Sequence, residues 1–510
     1  MLRIIKQGLR PAPFIPLSPT PLAPLIKPMG TQMKAQSLKI GLVNLPGATP
    51  ESTTLVEKLL LKDVTEHHCF FNDQHFHNHL SHHILSLHDL GASVECLQKM
   101  YDFNAAMQRP LYPNGVPPAP AEAHKINAGN WTNYLGEANS HMYPDYLAFF
   151  SAEIATHGVA SVLERYVFSP EANGNGTMML ARFVGGLLHP VIQAGFGIEF
   201  GQDALVADGL AQAILTTPEC AVVIDEASGF PEVKSGSSSA TLLSLMREVY
   251  DSPHLPPMPY QKERVRIEDL TNWIASKPKL GPTFRDIYAK WTFTLSADTA
   301  ANEKEVATKV EECMWLATLL LGANAKPGKK PRMDFFLMHF VTGSLLLRAV
   351  LNVVREPLHK AQLLQIFARS MALFVLMRGR PRIDAALVMS YPACPAPPKC
   401  KTTALGTPSY GSAWLALLNN ASAHTEAHVI KAIRALFYCA QHYGGTPAGA
   451  VVGAVDENGQ ETHKGAAMLD GTLFVRVAGI LTDAVGWVAH GEEEVFWDFR
   501  GAWDEAWEED

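Results

Sequence analysis

Cysteine is sparse and badly placed for cross-linking. The chain has seven (Cys69, Cys96, Cys220, Cys313, Cys394, Cys400 and Cys439), an odd number with no CxxC pair. That excludes a disulfide framework and a zinc ribbon and suits a reducing compartment. Positive charge is equally thin: with a net charge of −8 and no basic stripe interleaved with aromatics, a nucleic-acid surface is excluded. The chain also lacks a Walker A loop, a GxSxG elbow, an HExxH helix and an EF-hand loop, so the common nucleotide, acyl-transfer, zinc-protease and calcium readings fail. The nearest approach to a dinucleotide fingerprint, Gly195-Phe196-Gly197-Ile198-Glu199-Phe200-Gly201, has the wrong spacing and follows an apolar run; a tight turn is expected there. Nothing recurs at a period of about 20–50 residues, which argues against a solenoid.

Acidic residues are missing from the first 50 positions, which carry Arg3, Lys6, Arg10, Lys27, Lys34 and Lys39. An organellar presequence has this charge pattern. Seven prolines between Pro11 and Pro28 forbid the continuous amphipathic helix such a presequence needs. Residues 1–50 are therefore expected as a disordered, Pro-rich basic extension, and the chain as cytoplasmic rather than mitochondrial.

What is present is material for a large core: 47% hydrophobic and 18% charged residues, well away from a disordered composition. Helical periodicity dominates from Glu51 onward, predicting a soluble, mainly α fold in one large multi-helix domain over residues 51–510. Expected helices are 78–91, 143–158, 177–188, 204–215, 239–251, 301–321, 335–354, 362–377 and 425–443. Strands are expected only at 38–43 and 221–224. The 335–354 run is as long as a membrane span, but it carries His339, Thr342, Ser344 and Arg348 and reads better as a buried core helix. The two tail tryptophans, Trp503 and Trp507, are expected to dock on the body.

Histidine is the residue in excess, with twenty in the chain and eight between His67 and His88. On a helix His79 and His83 would share a face, and paired neutral imidazoles bind iron, zinc or copper well. His189 and His339 lie in apolar surroundings, where both ring nitrogens need partners. His428 and Lys431 are three apart on one helix side, with His424 just before them. A lysine facing a core is ion-paired, a base of depressed pKa, or carbamylated into an anionic ligand; the sequence leaves all three open. Four histidines with one anionic oxygen ligand would suit a redox metal such as iron better than calcium or magnesium.

Several stretches together carry a family likeness. They are His77-Asn78-His79-Leu80-Ser81-His82-His83, Asn130-Trp131-Thr132-Asn133-Tyr134-Leu135-Gly136, His189-Pro190 with Gly195-Phe196-Gly197-Ile198-Glu199-Phe200, Asp334 to Thr342, Arg378-Gly379-Arg380-Pro381, and His428 to Leu436. In order and spacing, over roughly residues 55 to 500, the chain resembles the questin oxidase-like family of fungal and bacterial proteins. The resemblance implies an oxidoreductase that opens aromatic polyketide rings of the anthraquinone type with O2, by Baeyer–Villiger-like oxygen insertion beside a carbonyl. It also implies NADPH, although no nicotinamide or flavin motif is present. Gln193 departs from the pattern, standing where a second histidine is expected after His189-Pro190.

Taken with the resemblance, the expected site is iron held by His79 or His83, His189, His339, His428 and a carbamylated Lys431, with Thr342 one turn beyond His339 placing oxygen or water. Tyr134 and Tyr438 are candidates for hydrogen bonds to the substrate. The rivals are a metal-dependent hydrolase, for which Asp89 is the one plausible aspartate on these helices, and a non-catalytic helical protein with structural histidines.

Overall fold

The apolar runs fold as helices and bury their length. A computed structural model describes residues 35–112, 126–225, 228–236, 240–262, 267–296, 298–323, 325–398, 401, 404, 406 and 411–508. The expected helices at 78–91, 143–158, 204–215, 239–251, 301–321, 335–354, 362–377 and 425–443 form as Leu80–Asp89, Tyr143–His157, Asp203–Leu215, Leu242–Asp251, Thr299–Gly322, Phe335–Val353, Pro357–Met377 and Ala427–Tyr443. Two helices among the described residues are long and apolar enough to cross a membrane, Phe335–Val353 and Pro357–Met377, and they are 78% and 94% buried over their most hydrophobic windows. The described residues from 35 onward cluster into one compact unit. The first 34 residues, most of the expected extension, lie outside the described ones. Residues 35–49 run along the body, where the Lys39 amide donates to Phe200 O at 2.9 Å and the Leu45 amide to Asp89 O at 2.9 Å.

Four local expectations are corrected. Among the described residues no strand forms at 38–43, whose amides reach side chains and helix ends rather than a neighbouring strand. Residues 221–224 lie in and just after a 3-10 helix, Glu219–Val223; a short apolar run does not distinguish a strand from a helical turn. The 177–188 helix is cut to Met179–Phe183, because Gly185 and Gly186 open a turn that runs to His189. The Gly195–Gly201 stretch is no tight turn but the second half of the His189–Phe200 helix.

Those glycines serve close packing. The His189–Phe200 helix lies between Asp203–Leu215 on one side and Phe335–Val353 on the other. A Cβ on Gly195 would fall 2.6 Å from Leu346 Cβ, and one on Gly209 would fall 2.7 Å from the Ala194 backbone nitrogen. Gly195→Ala is therefore expected to destabilise the protein by about 1–3 kcal/mol through overpacking, against alanine's better helix propensity. Urea unfolding measures it, and an unchanged or higher midpoint would contradict this packing.

A buried ion cluster ties the helices together. The Arg434 guanidinium, on Ala427–Tyr443, pairs with Asp89 on Leu80–Asp89 at 2.8 Å and with Glu199 on His189–Phe200, all three side chains at most 2% exposed. The two carboxylates also accept the amides of Leu42, Val43 and Asn44, which stitches the extended 35–49 segment to the same point. Both tail tryptophans are buried, Trp503 against Gly379 and the Arg378 guanidinium and Trp507 beside Arg332.

Candidate metal centre

Four histidines from four helix starts meet in the core. His79 is the N-cap residue of Leu80–Asp89, held there by Asn78, which accepts the Leu80 amide at 2.9 Å and donates to Asp63 at 2.8 Å. His189 opens its helix, and its Nδ1 donates to Gly186 O at 2.6 Å. His339 lies in the second turn of Phe335–Val353, a helix begun by the Asp334 carboxylate, and its Nδ1 donates to Phe335 O at 2.8 Å. His428 sits in the first turn after Glu426, its Nδ1 2.5 Å from Glu426 Oε1.

Each of these Nδ1 contacts assigns a tautomer. An N–H that donates to a carbonyl or carboxylate leaves Nε2 bare, with its lone pair turned inward. The Nε2 atoms of His339 and His428 have no hydrogen-bond partner among the described residues. The Nε2 atoms of His79 and His189 face each other at 2.9 Å. Donor atoms of His79, His189 and His428 all lie within 4.8 Å of one another. The His339 ring is 4.8 Å from that of His428 and 4.9 Å from that of His189. Burial is the largest cause holding His79, His189 and His339 well below the ordinary imidazole pKa, so they are neutral at physiological pH, the form in which an imidazole can bind a metal. Burial also lowers His428, with Glu426 pulling the other way.

Lys431, one turn past His428, is 1% exposed and its Nζ has no partner among the described residues. Of the three readings of this lysine, the ion pair finds no carboxylate at Nζ. Burial pushes the amine down to about 7, with Glu426 opposing. Burial alone would raise the Glu426 carboxyl. The His428 imidazole and a bond from Trp497 Nε1 at 2.6 Å outweigh it and hold the group at about 2.

The donor set fits a transition metal. Two cis ligands about 2.1 Å from one ion stand about 3 Å apart, which is the His79–His189 separation, and neutral imidazoles select such metals over calcium or magnesium.

A model of the family described as Questin oxidase-like matches residues 76–436. The chain belongs to that family. Similar proteins include a questin oxidase of Aspergillus terreus, 29% identical over 74% of this chain and 78% of that one. The Baeyer-Villiger oxidase AgnL3 of Paecilomyces divaricatus is 26% identical over 80% of this chain and 83% of its own. A questin oxidase of Aspergillus fumigatus is 26% identical over 88% and 92%. The family match spans all four histidines and Lys431, and stops short of Trp497.

The rest of the expected set is scattered around this questin oxidase-like centre. His83 stands apart from the four: its Nδ1 faces Asn104 Nδ2 at 3.4 Å. Because residue 79 is a cap and not a helical position, the shared-face argument for His79 and His83 does not hold. His82 takes the nearby place, its ring 5.6 Å from His79 and stacked on Phe196, with the Gln193 amide beside it. His77 stacks flat on His189 at 4.1 Å. Thr342 is buried one turn beyond His339, its hydroxyl toward Met338 Sδ at 3.8 Å. Tyr438 is buried, its hydroxyl without a hydrogen-bond partner among the described residues, two turns past Lys431 on the same helix, whereas Tyr134 lies by Tyr146. Gln193 uses both ends of its amide elsewhere, donating to Asp208 at 2.7 Å and accepting from Ser81 at 3.2 Å. The expectation of His424 beside the pair is also corrected. It precedes the helix and bonds Gly486 O at 3.0 Å.

Glu426 and Trp497 were invisible in the sequence. Glu426 reads there as an ordinary acidic N-cap, and Trp497 meets it across 71 positions.

Proposed function

We propose that this questin oxidase-like oxidoreductase opens an aromatic polyketide ring of the anthraquinone type with O2, at a non-heme iron held by His79, His189, His339, His428 and carbamylated Lys431. The observation that carries the reading is the convergence of four neutral imidazoles, three of them with Nε2 freed by an Nδ1 bond, beside a buried lysine whose Nζ has no partner among the described residues. The relatives' names, questin oxidase and Baeyer-Villiger oxidase, supply the reaction class. Iron when bound would activate O2. Such an oxidation would place one oxygen atom in the bond beside a ring carbonyl, breaking that C–C bond, and release the other as water, with two electrons and two protons drawn from NADPH and solvent.

The chain's own residues hold the centre and exclude water. A neutral Lys431 amine adds CO2, releasing a proton and leaving an anionic oxygen among the histidines. Glu426 and the carbonyls of Gly186 and Phe335 fix the rings through Nδ1. Phe335 covers one side, its ring 4.9 Å from His339 and 5.0 Å from His428. The hydrolase alternative loses its aspartate, since Asp89 is committed to Arg434 and two backbone amides.

Plasma mass spectrometry of the purified protein and of His428→Ala tests the proposal, together with turnover of an anthraquinone with and without NADPH. About one iron per chain, lost in the variant, with NADPH-dependent ring opening is the expected result. Stoichiometric zinc without oxidation would move the protein to hydrolysis. No bound metal in either sample would leave the histidines structural.

A further inference from the structure

The chain enters His189 through a left-handed turn. Gly186, Leu187 and Leu188 have φ of 55°, 55° and 66°, three consecutive residues in a region that L side chains avoid at about 1–2 kcal/mol each. Two leucines hold this conformation only where the surroundings over-determine it, and such strain concentrates at functional sites. Leu188 is anchored by its side chain, which packs where a Cβ on Gly343 would lie, 2.6 Å away. Leu187 is only partly buried.

A left-handed turn points successive amides to one side, a concavity that binds anions. Here the acceptor is a side-chain carboxyl, which burial raises to about 7 and the bonds from the turn's amides pull down. The Gly186 amide donates to Glu219 Oε1 at 2.5 Å, and the Leu187 amide also faces the Glu219 carboxylate. Gly185 has to be glycine for the same reason, since a Cβ there would fall 2.9 Å from Glu219 Oε2. Gly186 O, which shares its peptide group with the Leu187 amide, points the other way and accepts the His189 Nδ1–H at 2.6 Å. Glu219 itself is far from the Ala427–Tyr443 helix in sequence and belongs to the Glu219–Val223 turn, which the Met179–Phe183 helix packs against.

We infer that Glu219 is a positioning residue for the metal centre: its carboxylate holds the Gly186–Leu188 turn in the left-handed form, and the turn's Gly186 carbonyl fixes the tautomer and aim of His189. The inference rests on His189 being a ligand. A backbone carbonyl held in this way does for His189 what the Glu426 carboxylate does directly for His428.

The test is a titration of metal-free protein with Co(II), followed by visible absorption, for wild type, His189→Ala, Glu219→Ala, Glu219→Gln and Glu219→Ala/Leu187→Gly. Glu219→Ala is expected to weaken Co(II) binding about 10- to 100-fold, as loss of a ligand's orienting partner does, and to shift the ligand-field spectrum toward that of His189→Ala. Glu219→Gln keeps an acceptor for the Gly186 amide and is expected to lose less than about fivefold. Leu187→Gly removes the strain that Glu219 opposes and should restore part of the binding. Wild-type affinity and spectrum in Glu219→Ala, with His189→Ala impaired, would overturn the inference and leave the metal centre standing. Unimpaired binding in His189→Ala would overturn both. If Glu219→Ala does not fold, Glu219→Asp, whose carboxylate is one methylene short of the turn, carries the test with the same two outcomes.

Discussion

Lys431→Ala is expected to lose turnover by about 100-fold or more and most of its bound metal, because removing a ligand costs more than the 10- to 100-fold typical of its supporting partners. The unpartnered Nζ in a fully buried setting is the reason. A short carboxylate such as formate or acetate, added to the variant, should restore part of both by filling the space of the carbamate. The wild type should respond to CO2. Burial lowers the amine to about 7, and only the neutral amine adds CO2, so metal loading at fixed CO2 is expected to rise with pH through that value. The stability of the metal-free protein follows the same sign. The folded pKa lies below the unfolded value of 10.5, the unfolded chain binds the extra proton between the two, and stability should climb from about pH 7 toward pH 10. Lys431→Met should flatten that climb. Metal content and turnover that stay at wild-type levels in Lys431→Ala would remove the lysine from the site. Metal retained with activity lost would make it a base instead.

Arg434→Met is expected to be the most damaging substitution for stability, at about 3–5 kcal/mol. It strips the counter-charge from Asp89 and Glu199, both buried to within 2%, and frees the three helices that carry His79, His189 and His428. Burial already raises the Glu199 carboxyl, with Arg434 pulling it down. Without the arginine, the Glu199 carboxyl should titrate well above its unfolded value. An acid with a raised folded pKa destabilises above its unfolded pKa and is relieved as pH falls, so the gap between variant and wild type should narrow toward about pH 4. Urea unfolding across pH measures it. A constant gap would point to lost packing against Phe196 and Phe200 rather than lost charge.

The sequence discloses the helical core through periodicity and through the length of the apolar runs. It also discloses His189, His339, His428 and Lys431, because polar groups in apolar surroundings stand out one by one. It misleads at His79 and His83, where a face argument presumes a helix that begins one residue later. The groups that aim the rings stay hidden. Glu426 is an unremarked acid before a helix, Glu219 follows a proline in a loop, and the Gly185-Gly186 pair reads as a flaw in a long helix rather than the start of a left-handed turn. Each acts through contacts set by tertiary packing, 33 positions apart for Gly186 and Glu219 and 71 for Glu426 and Trp497.

The contact of Trp497 with Glu426 has a consequence for the order of events in the cell. The segment that bonds Glu426 and lays Phe499 on Phe335 at 4.7 Å is translated after residue 436, where the family match ends. Every histidine of the centre is synthesised before the tail that steadies His428. A nascent chain stalled at residue 436 would carry the four histidines and Lys431 without the Trp497 bond to Glu426 that steadies His428.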